Sequence, residues 1–335
     1  MPATLESVAA AAGVSRATAS RVLTGSPRVS ESARERVLAA ARELSYVPNA
    51  AARSLVTRRS DTVAFVVCEP EEKFFSDPFF STVLKGAHHV LAAHSLQIVF
   101  VVVSTDEDRD RLERFAAGGH VDAAMFVSLH GSEDMPTRLD ALGVPVVMAG
   151  RSLHPGAASL PVVDVDNAQG AVVATRRLLE RGCRRVATIS GPTDMAGAID
   201  RLDGWRRALA EAGRTPADED VAEGDYTVEG GHRAMQRLLD LSPPVDGVFV
   251  ANDLMAAGAL RAVADRGLAV PDDVAVAGFD DIPIAQATQP PLTTVHQPIE
   301  DLGRTMAQSL VASMGGERAP LHVRLHTHLV VRASA

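Results

Sequence analysis

The sequence is poor in cysteine and has no long apolar run, and these two scarcities exclude whole classes of protein. Two cysteines among 335 residues are too few for a disulfide framework, so we expect a reducing, cytoplasmic setting. The longest purely apolar runs, such as residues 98–103, are far shorter than the ~20 residues that a membrane helix needs. The first residues lack a basic segment followed by an apolar stretch, so we expect no secretory signal and no membrane partner.

Sequence patterns of metal and nucleophile chemistry are also missing. There is no cysteine cluster, no HExxH motif, no phosphate-binding loop and no GxSxG motif. His322, His326 and His328 alternate with apolar residues, which favours a strand with a polar face over a metal site. Because no acid–base pair or nucleophile constellation stands out, we expect no cofactor, no metal and no enzymatic activity.

Charge is divided unevenly along the chain. Residues 1–60 contain nine arginines and four acidic residues, a net charge of +5, whereas the remainder has 24 basic and 38 acidic residues, a net charge of −14. A small basic segment on a large acidic one predicts that only the basic segment meets a polyanion. A solvated basic surface without a partner agrees with the charge equally well.

The first sixty residues contain three short helical patterns. Gly13 lies between the first two and can turn tightly because it has no Cβ. Two short helices joined by such a turn, with a third that completes a core, are typical of a helix-turn-helix. The predicted helices are residues 5–12, 16–23 and 31–44, with Thr4, Ser15 and Ser30 as their N-caps.

The second helix carries side chains suited to reading DNA. Its N-terminal end would enter the major groove first, where arginine can bind guanine through two hydrogen bonds. Short hydroxyl side chains at a helix N-terminus suit phosphate contacts. The spacing alone also fits a small helical bundle with exposed arginines. The candidate DNA contacts in this helix are Ser15, Arg16, Ala17, Thr18, Ser20 and Arg21.

This part of the chain resembles the lactose-repressor (LacI/GalR) family of bacterial transcription regulators. The resemblance is carried by residues 4–9, 12–23, 29–30 and 46–55. It implies a helix-turn-helix DNA-binding domain over residues 1–48, followed by a hinge helix and linker over residues 49–60. One departure is Ala17, which lacks the polar group often found at that base-reading position.

The segment after Pro48 predicts a short hinge helix. Pro48 ends the third helix, and Asn49 can cap a new one that is too short to be stable alone. The resemblance implies that two such helices pair in the minor groove, with Leu55 as the wedge at the central base step. Asn49 and Leu55 are therefore further candidate DNA contacts, although Leu55 could instead be buried against its own domain.

From residue 61 onward, strands and helices alternate. This alternation predicts an α/β fold of two doubly wound parallel sheets. The resemblance extends over this region and implies a periplasmic-binding-protein-like (type I) body of two subdomains, which binds the effector and dimerises over residues 61–335. The predicted strands are residues 63–67, 98–103, 123–127 and 146–148 in a first series, and residues 162–165, 186–190, 248–250 and 274–277 in a second.

The resemblance implies that the chain crosses three times between the two subdomains. We place the chain crossings near Pro161, Pro291 and Pro320. One subdomain then contains residues 61–161 and 291–320. The other contains residues 162–290 and 321–335, with residues 321–331 as its last strand.

Polar residues that follow the predicted strands suggest a ligand site, because ligands of open α/β sheets bind at the carboxyl ends of strands. Carboxylate, amide and guanidinium groups can bracket hydroxyls, and an aromatic ring can cover a sugar ring. The resemblance implies effector contacts at Phe79, Arg201, Asn252 and Asp280, which match family motifs. Helix capping is the alternative for Asn252, and an ion pair with Asp200 or Asp203 is the alternative for Arg201. The candidate effector contacts are Asp77, Phe79, Arg151, Arg201, Tyr226, Asn252, Asp280 and Gln297.

Together these patterns predict a cytoplasmic, nucleoid-associated repressor that binds double-stranded DNA at a pseudo-palindromic operator as a homodimer. A small-molecule effector, a sugar by its surrounding chemistry, would control that binding. The C-terminus has no leucine heptad tail, which favours a dimer over a tetramer held by such a tail. The alternatives are a co-regulator controlled by a protein partner or a nucleobase, and a sugar-binding protein with no role on DNA.

Overall fold

The computed structural model describes residues 3–23, 28–46, 59–317 and 320–335. In it the chain divides into two compact units, residues 1–60 and residues 61–335. We call the first unit the head and the second the body.

The head contains three short helices around a small apolar core. Thr4 caps the first helix by accepting a hydrogen bond from the Ser7 N–H, and Gly13 ends it with a φ of 62°. The predicted helices and the turn between the first two are thus confirmed. The helices are α1 (Leu5–Ala12), α2 (Arg16–Leu23) and α3 (Glu31–Glu43). The buried core includes Val8, Ala19, Val22, Val37 and Ala40.

The body is built on two six-stranded sheets. The strands are β1 (Thr62–Val67), β2 (Gln97–Val102), β3 (Ala123–Val127), β4 (Val146–Ala149), β5 (Val162–Val165), β6 (Val186–Ser190), β7 (Val221–Glu223), β8 (Gly247–Val250), β9 (Ala275–Asp280), β10 (Thr293–His296), β11 (His322–Leu325) and β12 (His328–Val330). The first sheet has the strand order β11-β5-β4-β3-β1-β2, and the second has the order β12-β10-β9-β8-β6-β7. We call the halves built on them the first and second subdomains.

Helices connect the strands of both sheets. They are α4 (Glu71–Ser76), α5 (Pro78–Ala93), α6 (Asp106–Ala117), α7 (Met135–Ala141), α8 (Asn167–Glu180), α9 (Ala196–Glu211), α10 (Val228–Leu239), α11 (Asp253–Asp265), α12 (Ile284–Ala287) and α13 (Ile299–Met314). Short 3₁₀ turns cover Pro155–Ser159 and Asp218–Asp220. The pairs within each sheet are parallel apart from the antiparallel pair β10–β12. The doubly wound α/β prediction is confirmed.

The strand assignment differs from the prediction in three places. Residues 162–165 form β5, which pairs with β4 and β11 of the first sheet and not with the second series. Residues 293–296 form β10, which lies in the second sheet and not in the first subdomain. The single strand predicted at residues 321–331 is two strands, β11 and β12, in different sheets.

These differences have one physical cause, which is that proline does not have to mark a crossing. Pro161 cannot donate a hydrogen bond, yet its carbonyl accepts one from the Met148 N–H at 3.0 Å. A proline is compatible with the start of a strand for this reason. The crossings therefore follow β5, β10 and β11, each a few residues beyond the predicted proline.

Two of the three crossings are bonded to each other. The Asp166 N–H, just after β5, donates to the Leu325 carbonyl at 3.0 Å. The Thr327 hydroxyl, between β11 and β12, donates to the Asp166 carbonyl at 3.4 Å. The first and third connections between the subdomains therefore run side by side.

Glycine allows α5 and α13 to pack closely in the first subdomain. A Cβ added at Gly303 in α13 would lie 1.9 Å from the Val83 carbonyl oxygen, and one added at Gly86 in α5 would lie 1.9 Å from the Glu300 carbonyl oxygen. No side chain fits between these two backbones. This close packing holds α13, the helix that follows the second crossing, against α5.

None of the described helices is both long enough and apolar enough to cross a lipid bilayer.

Candidate functional site

A cavity lies between the carboxyl ends of the two sheets of the body. Residues from both subdomains line it. All eight side chains predicted to contact an effector are among them, although they come from separate segments of the chain. These residues are Asp77, Phe79, Arg151, Arg201, Tyr226, Asn252, Asp280 and Gln297.

Arg201 is the most heavily bonded of these side chains. It projects from α9, is 8% exposed, and stacks on the Phe279 ring with its guanidinium carbon 3.7 Å from the ring centroid. Its Nε donates to Asn167 Oδ1 at 2.8 Å and its Nη2 donates to Gln297 Oε1 at 3.1 Å. The Nη1 donates to the Ala251 carbonyl at 2.5 Å. Arg201 thus bonds to the segments that follow β5, β8 and β10 beside the cavity.

The alternative partners expected for Arg201 are engaged elsewhere. Asp200 binds Arg151 through both carboxylate oxygens, and Asp203 binds Arg206 at 3.2 Å. The acid that faces Arg201 is Asp280, whose Oδ1 lies 3.6 Å from Nη1. Arg201 is therefore turned into the cavity.

Asp280 ends β9 in a conformation that few side chains adopt. Its φ is 117°, outside the usual range for residues other than glycine. Burial raises the pKa of its carboxyl well above the ordinary value, and the positive charge of Arg201 opposes that shift. An uncommon backbone and a buried acid at one strand end are typical of a functional position.

Asn252 lines the cavity and also caps a helix. Its Oδ1 accepts from the Met255 N–H at 2.9 Å at the start of α11, and its Nδ2 donates to the Tyr226 carbonyl at 3.2 Å. The capping role considered from the sequence is therefore present. Tyr226 has a φ of 66°, and burial raises the pKa of its hydroxyl to about 12.

The first subdomain contributes an aromatic ring and a carboxylate. Asp77 caps α5 by accepting from the Phe79 N–H at 2.9 Å, and burial raises the pKa of its carboxyl. The Phe79 ring meets Phe80 edge to face, with centroids 5.6 Å apart. Aromatic rings from both walls, Phe79 and Tyr226, therefore line the cavity.

Sequence reasoning missed several lining residues, of which Glu69 is the most distinctive. Glu69 follows β1 and is 4% exposed. Its Oε1 accepts from Lys73 Nζ at 2.7 Å and from the Ser128 hydroxyl at 2.6 Å, and it lies 3.0 Å from His130 Nε2. Burial raises the pKa of Glu69, but the bonds from His130 and Lys73 outweigh it and hold the pKa below its ordinary value. Its place after a strand could have identified it.

Polar contacts also cross the cleft between the subdomains. His130 Nδ1 lies 3.1 Å from Asp194 Oδ2, and the Gly131 N–H donates to the Asp194 carbonyl at 2.8 Å. The hydrogen bond to Glu69 raises the pKa of His130. Lys73 Nζ lies 5.4 Å from the Tyr226 ring centroid on the opposite wall. With the Arg151–Asp200 pair, these contacts join the two walls around the cavity.

A buried acid supports the second wall from behind. Asp253 is 0% exposed, and its two oxygens accept from the Thr294 hydroxyl at 2.6 Å and the Ile282 N–H at 3.0 Å. Burial raises its pKa to about 7. Asp253 therefore ties the segment after Asp280 to β10.

In the head, α2 turns its small apolar residues inward and its polar residues outward. Ala19 and Val22 are buried, whereas Ser15, Arg16, Ala17 and Arg21 are exposed and Thr18 and Ser20 are half-buried. Ser15 caps the helix, because its Oγ accepts from the Thr18 N–H at 3.1 Å.

Arg16 also has a partner within the head, since its Nε lies 3.0 Å from Glu6 Oε1 with both side chains largely exposed. An exposed pair of this kind is weak and leaves the arginine able to change partners. The other two candidate DNA contacts, Asn49 and Leu55, lie outside the described residues.

Comparison with known proteins identified two family models and many relatives. The model for bacterial regulatory proteins of the lacI family matches residues 4–49, and a model for a periplasmic binding protein-like domain matches residues 175–335. The chain is 47% identical to the HTH-type transcriptional regulator CelR of Thermobifida fusca over 332 residues, which cover 99% of this chain and 98% of that protein. It is 33% identical to the repressor CytR of Escherichia coli K12 over 340 residues, which cover 99% and 96% of the two proteins.

Solved structures gave matches over nearly the whole chain. A complex of the transcriptional regulator CelR with cellobiose is 44% identical, with a TM-score of 0.80, over 99% of this chain and all of the other. A lac repressor dimer bound to operator and the anti-inducer ONPF is 26% identical, with a TM-score of 0.85, over 100% of this chain and 99% of the other.

Proposed function

Because the chain belongs to the lacI family of bacterial regulatory proteins, we propose that it is a transcriptional repressor whose binding to operator DNA is controlled by a sugar. The observation that carries the proposal is the cavity, where eight side chains from separate segments converge between the two subdomains. The CelR–cellobiose complex, a match over nearly the whole chain, supports a sugar as the occupant. Transcriptional regulation, and not enzymatic catalysis, is the function that we propose.

The cavity would bind the sugar between its two walls. Arg201, Asn252 and Asp280 offer a guanidinium, an amide and a carboxyl to sugar hydroxyls, and Asp77, Arg151 and Gln297 extend this polar surface. The rings of Phe79 and Tyr226 would cover the apolar faces of the sugar. This division between polar and aromatic groups is the usual chemistry of saccharide recognition.

The head would bind the DNA. We propose residues 1–48 as the DNA-binding domain, with the outward face of α2 in the major groove. Arg16, Ala17 and Arg21 would face base edges, while Ser15, Thr18 and Ser20 would lie near phosphates. Residues 49–60 would form the hinge and linker, with Asn49 and Leu55 contacting the minor groove.

Two copies of the chain would act together on a pseudo-palindromic operator. A two-fold protein matches two half-sites in successive major grooves, and the lac repressor match is a dimer on its operator. Sugar binding would change the relation of the two subdomains and thereby the spacing of the paired hinges. Couplings of this kind typically amount to ~1–3 kcal/mol. We place this activity in the cytoplasm, where the DNA is.

The proposal is tested by selecting operators from random duplexes with the full chain, and then titrating the selected duplex with cellobiose. We expect a pseudo-palindromic consensus, and an affinity that changes at least fivefold when cellobiose or another saccharide is bound. Recovery of no preferred duplex at low ionic strength would contradict the DNA function. An unchanged affinity across a saccharide panel would contradict the control by sugar.

A further inference from the structure

The cations that line the cavity already have partners within the protein. Lys73 Nζ lies 2.7 Å from Glu69 Oε1, and Arg151 Nη2 lies 2.7 Å from Asp200 Oδ1. Arg201 gives three hydrogen bonds to neutral acceptors and faces Asp280. A negatively charged ligand would have to compete with these partners for each positive charge.

The cavity also holds carboxylates that are bonded only to uncharged donors among the described residues. Asp77 accepts from the Phe79 N–H at 2.9 Å. Asp164 Oδ1 accepts from the Val165 N–H at 2.8 Å and from Asn167 Nδ2 at 2.9 Å. Burial raises the pKa of both carboxyls, which indicates that negative charge is already costly at these positions. Another anion placed beside them would add repulsion in a medium of low dielectric constant.

Glu69 determines whether the positive charge of Lys73 is open to a ligand. Lysine is a common anchor for phosphate and carboxylate groups, and Lys73 reaches the cavity. Glu69 is buried, holds Lys73 at 2.7 Å, and is kept in place by Ser128 and His130. The charge of Lys73 is therefore cancelled by a carboxylate fixed from three directions.

We propose that the cavity selects an uncharged saccharide and rejects phosphorylated and carboxylated ones, and that Glu69 sets this selectivity by neutralising Lys73. The inference rests on the proposed effector function of the cavity. The same arrangement excludes nucleotides and sugar phosphates as effectors, and it makes Glu69 a specificity-determining residue.

The test uses ligands that differ by one charged group: cellobiose against cellobiouronate, and glucose against glucose 6-phosphate and glucuronate. Affinities are measured by calorimetry on the full-length wild type, Glu69→Gln and Glu300→Gln. Glu300→Gln is the matched control, because Glu300 lies 2.7 Å from Lys85 in an exposed pair that does not line the cavity. Operator binding without ligand shows that each variant is folded.

For the wild type we expect the neutral member of a pair to bind at least tenfold more tightly than its charged member. Glu69→Gln should lower the ratio of neutral-ligand to charged-ligand affinity at least tenfold, because Lys73 then becomes an unpaired cation. Glu300→Gln should leave this ratio unchanged. If Glu69→Gln does not fold, the ratio of neutral-ligand to charged-ligand affinity in the wild type decides whether the cavity selects uncharged saccharides.

Three results would overturn all or part of the inference. A charged member that binds the wild type as tightly as its neutral counterpart removes the selectivity but leaves sugar control intact. If folded Glu69→Gln keeps the wild-type ratio of neutral-ligand to charged-ligand affinity, Glu69 is not the cause of the selectivity. If no saccharide of either kind binds while the operator is still bound, the inference and the sugar effector fall together, and the DNA function stands.

Discussion

At the scale of single residues, function depends on groups held in costly positions. Asp280 combines an uncommon backbone conformation with a buried carboxyl, and Arg201 is fixed by three hydrogen bonds and a ring. Neither arrangement is needed to complete the hydrophobic core. Residues of this kind are sensitive to changes of charge even when the shape of the side chain is kept.

Asp280→Asn should abolish most of the response to sugar while leaving ligand-free operator affinity within twofold of the wild type. The amide replaces one oxygen acceptor with a donor and leaves a buried sugar hydroxyl unpaired, which costs about 1–3 kcal/mol, so sugar affinity should fall roughly five- to hundredfold. Calorimetry with the saccharide that binds the wild type measures this loss. Asp203→Asn, in an exposed pair with Arg206, is the control that should bind normally. A wild-type response in Asp280→Asn would remove Asp280 from the site.

Arg21→Ala should weaken binding to the selected operator much more than binding to random DNA. Arg21 is exposed on α2, and a bidentate arginine–guanine contact discriminates by about 1–3 kcal/mol, or roughly 5- to 150-fold. Fluorescence anisotropy on both duplexes measures the ratio. Equal losses of affinity for the two duplexes would indicate that Arg21 contacts phosphate and not a base.

At the scale of elements, loops set how the subdomains meet, and one helix pair sets how the first subdomain packs. The loops after β3 and β6 join across the cleft through His130 and Asp194. The helices α5 and α13 meet where only glycine fits.

His130→Gln should lower the melting temperature of the body more at about pH 6 than at about pH 9. The pKa of His130 is raised above its ordinary 6.5 by the hydrogen bond to Glu69, so its stabilisation is complete below that value and is lost as pH rises through the raised pKa. Calorimetric scans across this range measure the difference between wild type and variant. His88→Gln, an exposed histidine of α5, should show no such trend. A pH-independent difference for His130→Gln would mean that neutral packing explains its effect.

Gly303→Ala should destabilise the first subdomain by about 1–3 kcal/mol, since the added Cβ would overlap the Val83 carbonyl of α5. Urea denaturation measures the change in the free energy of unfolding. Gly315→Ala is the control at the end of the same helix, where the nearest atom would lie 3.3 Å away. Similar losses of unfolding free energy in both variants would indicate that α13 tolerates no substitution of glycine, whatever the packing around it.

The elements themselves were largely predictable from the sequence, but their pairing was not. Apolar runs identified β5 as a strand because burial is a local pattern. Its pairing with β4 and β11 could not be read in this way, because these partners are far apart in the chain. In the same way, Glu69 follows β1, but the charged run of residues 69–73 in which it stands locally resembles solvated surface and hides its burial. Only the fold shows that Ser128 and His130 enclose it. The effector candidates were easier to find because each follows a strand or matches a family position.

At the scale of the whole molecule, opposite charges separate two tasks. The head carries a net charge of +5 and the remainder a net charge of −14, so the acidic body would be repelled by DNA that the head attracts. This separation restricts DNA contact to one end of the chain. It also implies that operator binding weakens steeply with added salt.

Operator affinity should depend on protein concentration in a way that reveals a dimer. Below the dimer dissociation constant, binding should become steeper than first order, because two heads are needed for two half-sites. Anisotropy at decreasing operator concentration, together with analytical ultracentrifugation, measures both equilibria. A monomer that occupies a half-site with full affinity at any dilution would contradict the proposed assembly.

The bonded connectors at Asp166 and Thr327 have a mechanical consequence. Two adjacent strips of backbone resist twisting about their length but permit bending across it. The halves of the body would therefore swing along one principal direction. A protease that cuts one strip would leave the halves attached through the other connections but would remove this restriction on their direction of movement.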